Sequence, residues 1–207
     1  MIGFDKIIKG DRGEIWIDGE KLLDLKPVET IEIGGSWAAR GYRLFLGLDT
    51  SLTKSGWAVV GVRFDGSVRL IDYGLIKTNA KQSDGERLRA IVDGVRAIID
   101  RYPELQTTIP REAGIVRFNL PTKQIFKAHG ATEYAIADYK IHDVNIQSVK
   151  AWARRVTGSP GKRNDKDMIA EAVRLYFNDP DMKLNKEGDE ADAIAVTLFY
   201  LSSEGLI

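Results

Sequence analysis

Apolar positions cluster early in the second fifth of the chain. Residues 43–49 (RLFLGLD) form a compact apolar run that ends in an acid, which predicts a buried strand. After a polar turn at 51–54, residues 56–64 (GWAVVGVRF) predict a second strand, Asp65-Gly66 a hairpin turn, and residues 68–77 a third strand. Short turns between them make an antiparallel meander. The period then becomes helical. Leu88, Ile91, Val92, Val95, Ile98 and Ile99 predict a helix over 85–102, capped by Ser83 or Asp84 and stopped by Pro103. Residues 106–112 read as extended, 121–139 as a helix with its proline at the start, and 141–146 as a strand. Three more helices are predicted at 148–156, 166–177 and 189–201. The order is three strands, helix, strand, helix, strand, then helices, which is neither a Rossmann repeat nor a barrel.

The first 35 residues read differently. Residues 14–17 are a short β-type run, Asp18-Gly19 is a hairpin signal, and residues 21–33 form a second extended run. Pro27 places that run at an edge or a bend. Gly34-Gly35-Ser36 reads as a linker. The expected organisation is a small β-hairpin extension over 1–35 and a main α/β domain over 43–207. The extension is too small for a core of its own, so it packs on the main body or on a partner.

Composition narrows the chemistry. The 207 residues include no cysteine and two histidines. Disulfide scaffolds, thiolate metal sites and cysteine nucleophiles are excluded, and so is a histidine-rich metal site. His129 and His142 read as structural or surface residues. No apolar run reaches the ~20 residues of a membrane span, and the first twenty residues do not resemble a signal peptide. A cytoplasmic protein without a membrane partner is expected. Thirty basic residues balance 30 acidic ones. Zero net charge argues against a nucleic-acid partner only if the charges are evenly spread, and they are not. Residues 150–166 carry six basic residues against one acid, Asp165, while residues 186–192 carry four acids against one lysine.

Four acids sit at element ends. Asp49 closes the first strong strand; a bland reading makes it a turn-capping residue. Asp189 and Asp192 open the last helix on one face, where both suit N-terminal capping and the helix dipole. Glu112 follows the fourth strand beside Arg111 and reads, by itself, as a solvated glutamate. Taken together they suggest more. Carboxylates that converge repel one another, and burial raises the cost of ionising them. A divalent cation resolves that conflict, and oxygen donors select magnesium or manganese. Such a cluster suits two-metal phosphodiester hydrolysis. Spacing alone does not bring them together; a fold must.

At this point the sequence resembles the RuvC-type Holliday-junction resolvases of the RNase H-like nuclease superfamily, as a phage or bacterial member. LGLDTSLTKSGWAVV resembles the family's first motif, a strand ending in Gly-X-Asp with a glycine, here Gly56, a few residues on. DEADAIAVT resembles the last motif, an acidic pair entering an alanine-rich helix. Glu112 falls near the family's glutamate, and VKAWARRVTGSPGKRNDKDMI resembles its short helix, Gly-rich loop and lysine-bearing helix. The resemblance covers roughly residues 43–201.

It implies a mixed five-stranded sheet flanked by helices, with Asp49 beside Glu112 and the last helix bringing Asp189 and Asp192 over them. It implies two magnesium ions, with manganese as a substitute, held by Asp49, Glu112, Asp189 and Asp192, and Lys166 or Lys150 near the scissile phosphate. It also implies a homodimer, because a four-way DNA junction needs two symmetric cuts. Lys150, Arg154, Arg155, Lys162 and Arg163 would then track DNA phosphates. Phe118 is the nearest match to an aromatic that stacks on junction bases in some members. Trp152 suits core packing or base stacking, with core favoured. Two departures stand out. Pro110 should make the fourth strand irregular at its end, and Arg111 is placed to pair with Glu112 and compete with metal. Another RNase H-like nuclease, such as a YqgF-type or a debranching phage enzyme, or a non-catalytic binding module of the same fold, remains open on these residues. So does a plain α/β domain whose acids are caps.

Overall fold

The structure is a computed structural model that describes residues 7–9, 14–17, 20–24, 36–114, 120–158 and 165–207. The predicted meander is present as β4 (Tyr42–Asp49), β5 (Lys54–Arg63) and β6 (Val68–Lys77). Its register pairs Asp49 with Gly56 at one end and Tyr42 with Arg63 at the other. α1 (Asp84–Arg101) starts at Ser83, whose side chain forms a reciprocal capping box with Glu86. β7 (Thr108–Glu112), α2 (Leu120–Ala135), β8 (Lys140–Val144), α3 (Ile146–Thr157), α4 (Asp165–Tyr176) and α5 (Asp189–Ser203) follow in the predicted order.

β6, β5, β4, β7 and β8 are neighbours in that order, and they form the expected mixed five-stranded sheet. β7 runs parallel to both β4 and β8. The N-terminal segment adds β1 (Ile7–Lys9), β2 (Glu14–Ile17) and β3 (Glu20–Asp24) to the β6 edge, with Leu23 opposite Ile76, so among the described residues the sheet has eight strands. The extension is thus a continuation of the main sheet through strand pairing. Its Asp18-Gly19 turn and residues 25–35 lie outside the described residues.

Strand alternation divides the core into two layers. Leu44, Leu46, Leu48, Trp57 and Val59 pack under Ile91, Val95 and Ile98 of α1 and Ala128 of α2. Phe45, Ala58 and Val60 face the other way, onto Trp152 of α3, Met168 of α4 and the wholly buried Ala193–Leu198 stretch of α5. Trp152 is 5% exposed, so its indole is core, as favoured from the sequence.

α5 lies unusually close to the sheet, and two glycines permit it. A β-carbon built on Gly47 would collide with the side chain of Thr197. One built on Gly56 would fall 2.0 Å from the carbonyl oxygen of Asp189. Both glycines share the face that carries Asp49.

Pro110 has a local effect. The Gln106 amide donates to Leu44 O on β4, while the Ala113 amide donates to Val144 O on β8. Alternation therefore turns position 110 towards β4, where proline has no N–H to offer. The β4–β7 ladder is reduced to one register pair, Leu48 with Arg111, while the β7–β8 ladder runs unbroken from Thr108 to Glu112. The irregularity expected from the proline is confined to one side of the strand.

Candidate active site

The acids sit at the same edge of the fold. Asp49 and Glu112 are the last residues of β4 and β7, and the pairing of Leu48 with Arg111 makes them neighbours in register. Gly56, the register partner of Asp49, lies beneath the Asp189 carbonyl at the head of α5. The shared face is the one α5 covers, so Asp189 and Asp192 arrive over Asp49 and Glu112.

The turn and cap around Asp49 and Asp189 are satisfied by other groups. The turn after Asp49 is satisfied by serines: Ser51 Oγ accepts from Lys54 N at 3.1 Å, and Ser55 Oγ accepts from Ser51 N at 3.1 Å. The N-cap of α5 is Gly188, with φ 89° and no side-chain cap. The Asp189 carboxylate bonds the Asn185 amide, not a helix N–H. Glu112 is partly buried, not solvated.

These groups lie within electrostatic reach of one another. Burial and the repulsion of Glu112, Asp192 and Asp189 push the Asp49 carboxyl well above the usual carboxylate range, against the pull of Lys166. Burial and Asp192 push Glu112 up to about 7, opposed by Lys150 and Lys166. Burial raises Asp192 to about 6, with Asp189 adding to the rise and Lys166 and Lys150 opposing it. The site therefore holds more negative charge than its cations offset.

Among the described residues, no three His, Asp or Glu side chains are drawn tightly enough to enclose an ion as they stand. The donor set itself fits a hard divalent cation: carboxylate oxygens only, partly buried, and short of positive charge. An added cation removes the repulsion that raises these acids.

Arg111 does not compete for Glu112. It is buried on the opposite face of β7, where its guanidinium bonds Asp143 Oδ1 of β8 at 2.8 and 3.0 Å and Glu133 Oε1 of α2 at 3.1 Å. Successive strand residues face opposite layers, so adjacency in sequence separates the two side chains. The pairing expected from the sequence is corrected on that ground.

The basic candidates divide. Lys166, the second residue of α4, donates to Glu187 O in the turn before α5, and its methylenes lie against Gly188. Lys150 on α3 pairs with Asp165 Oδ2 at 2.9 Å. Arg154 lies 3.7 Å from the other oxygen of Asp165, and Arg155 is exposed on the same helix. Phe118, Lys162 and Arg163 lie outside the described residues. The structure also brings in groups that sequence patterns did not single out. Lys54, at the start of β5, is 2.5 Å from Glu187 Oε1, and that ion pair lowers the Glu187 carboxyl to about 2. Asn185 bonds Asp189.

A mixed sheet of this order, with acids at adjacent parallel strand ends and at the head of a covering helix, defines a nuclease domain of the RNase H-like class. The family model for crossover junction endodeoxyribonuclease RuvC matches residues 45–200. The chain belongs to that family. A curated relative of that name from Synechococcus sp. is 29% identical over 160 residues, covering 74% of this chain and 94% of the relative. One from Leifsonia xyli is 29% identical over 164 residues, covering 78% and 74%. Among solved structures, Thermus thermophilus RuvC in complex with Holliday junction substrate aligns with a TM-score of 0.63 at 20% identity, covering 79% of this chain and 97% of that one. The yeast mitochondrial Holliday junction resolvase Ydc2 aligns with a TM-score of 0.54 at 12% identity, covering 79% and 81%. These likenesses establish a shared fold. No helix among the described residues is long and apolar enough to cross a membrane.

Proposed function

We propose that this chain is a structure-selective endodeoxyribonuclease that resolves four-way DNA junctions by metal-dependent phosphodiester hydrolysis. Its family supports the reaction class. The observation that carries the site is the placement of Asp49 and Glu112 at neighbouring strand ends under the head of α5, whose first turn carries Asp189 and Asp192.

Asp49, Glu112, Asp189 and Asp192 are the carboxylates that would hold two divalent ions, magnesium with manganese as a substitute. When bound, such ions supply a water of lowered pKa and stabilise the leaving 3′ oxygen. The chain's own groups do the rest. The strand ends and the glycine-packed head of α5 gather the carboxylates at one edge of the fold before DNA arrives, and metal binding is left to draw their oxygens around the ions. Lys166, and less directly Lys150, place positive charge beside the acids and offset the charge gathered on the phosphate. The α3 face, with Arg154 and Arg155 and the basic residues that follow, contacts the backbone of the junction arms. The product carries a 5′ phosphate. Two symmetric cuts require two sites, so the working form is a homodimer, acting in the cytoplasm of a bacterial cell or phage-infected host.

The test is nicking of a synthetic four-way junction with magnesium, beside three-way, flap and RNA-containing substrates. The reading requires metal-dependent cuts on the junction that Asp49→Asn and Asp192→Asn abolish. Full cleavage by either variant would end it.

A further inference from the structure

α5 begins without help from its own N-cap. Gly188 has φ 89° and no side chain to accept a first-turn amide, so those amides need another acceptor. Asn185, three residues earlier, supplies one. Its Oδ1 accepts from the Glu190 amide at 3.0 Å, and its own backbone N–H donates to Glu190 Oε2 at 2.8 Å. This is the reciprocity of a capping box, displaced out of the helix. Glu190 is buried, which holds the clamp in place.

The clamp also settles how the carboxamide is turned. A backbone N–H needs an oxygen opposite it, so Oδ1 is committed there and Nδ2 must face the other way. On that side Nδ2 donates to Asp189 Oδ2 at 2.8 Å and reaches Glu187 Oε2 at 3.3 Å. Glu187 is held from its other oxygen by Lys54. One oxygen of Asp189 is therefore taken by a donor that carries no charge. A lysine in the same place would neutralise the carboxylate, whereas an amide orients it and leaves its charge intact.

We propose that Asn185 is a positioning residue for the metal site: it fixes the Asp189 side chain and reserves Oδ2, so that Asp189 offers a cation one oxygen, Oδ1. The proposal rests on the reading of Asp189 as a cation ligand. Outer partners of ligating carboxylates act in this way through the ligand they orient.

The test compares the wild type with Asn185→Ala, Asn185→Ser and Asp189→Asn. Three quantities are measured: Mn2+ binding by calorimetry without DNA, the Mg2+ midpoint of junction nicking, and the melting temperature. Asn185→Ala should bind Mn2+ roughly 10- to 100-fold more weakly. Its Mg2+ midpoint should rise by a similar factor, with excess Mg2+ restoring most of the rate. Asn185→Ser keeps an oxygen acceptor on the Glu190 side but has no carboxamide N–H to reach Asp189. It should melt close to the wild type and show the same shift, and it carries the test if the alanine variant does not fold. Wild-type Mn2+ binding and Mg2+ midpoint in both Asn185 variants, with Asp189→Asn impaired, overturn the proposal alone. Wild-type behaviour of Asp189→Asn as well overturns the reading of Asp189 beneath it. A change in melting temperature without a change in Mn2+ binding makes Asn185 a cap only and also refutes the proposal.

Discussion

Gly56→Ala tests the link between packing and chemistry most directly. The added β-carbon falls 2.0 Å from the Asp189 carbonyl oxygen, 2.7 Å from its carbonyl carbon and 3.3 Å from the Ala193 β-carbon. Ordinary contact needs about 3.4 Å, so the head of α5 must retreat by more than ~1 Å. The first two of these are backbone atoms, so no rotamer change relieves the collision. Nor is the helix free to tilt, because Ala193–Leu198 is buried against the sheet. Overpacking of this kind costs about 1–3 kcal/mol, and each kcal/mol lowers the melting temperature of a chain this size by roughly 2–4 °C. The chemical cost is larger. A displacement near 1 Å shifts Asp189 and Asp192 relative to Asp49 and Glu112, and misplacement on that scale costs on the order of 100-fold in rate. Single-turnover junction nicking at saturating Mg2+, paired with thermal melting, reads both effects. Gly47→Ala is the control, since its nearest clash is with the Thr197 hydroxyl. Adding Thr197→Ala should recover part of that loss, whereas no single side-chain truncation should recover Gly56→Ala. A Gly56→Ala protein that melts and cuts like the wild type refutes the packing; one that loses stability but keeps its full rate refutes the link to catalysis.

Three further perturbations have expected outcomes. Asp49→Asn should lower junction nicking by more than about 100-fold, since even outer partners of metal ligands cost up to that much. The same variant should raise the melting temperature of the metal-free protein, because it removes repulsion from Glu112 and Asp192; a lower melting temperature contradicts the repulsion. In EDTA, Glu112 near 7 and Asp192 near 6 hold protons that the unfolded chain releases at about 4, so stability should fall as pH rises from about 4 to 7. Melting scans from pH 5 to 8 check this, and Mg2+ should flatten the slope. Trp152→Ala should cost about 3–5 kcal/mol through its cavity while leaving the junction affinity of the folded protein unchanged; unaltered melting with lost affinity would make the indole a DNA contact instead.

Much of the fold was readable along the chain because its signals are local. The strands of the meander announce themselves as apolar runs separated by polar or Asp-Gly turns, and α1 by its helical period with Ser83 before it and Pro103 after it. The observed boundaries fall within a few residues of those expectations, apart from the earlier end of α2 at Ala135. The acids were legible as candidates because each closes or opens an element. Their roles were not, because a capping aspartate and a metal-site aspartate have the same local sequence. The bare N-cap Gly188 removes the N-cap role from Asp189, and the serine-satisfied turn removes the turn-capping role from Asp49. Arg111 shows the opposite error: closeness in sequence suggested a partner that strand alternation places in the other layer.

The sequence by itself therefore determined the order of elements, the absence of thiolate ligands, the uneven distribution of a balanced charge and the candidate acids. Each of these depends only on neighbouring residues or on composition. Tertiary structure alone decided that β1–β3 continue the main sheet, that Arg111 turns away, and that burial, with the neighbouring carboxylates, raises Asp49, Glu112 and Asp192 above the ordinary carboxylate range. Those outcomes depend on register, close approach and burial. They arise only when distant segments are packed in water-poor contact, where a charge feels its neighbours far more than it does in solution.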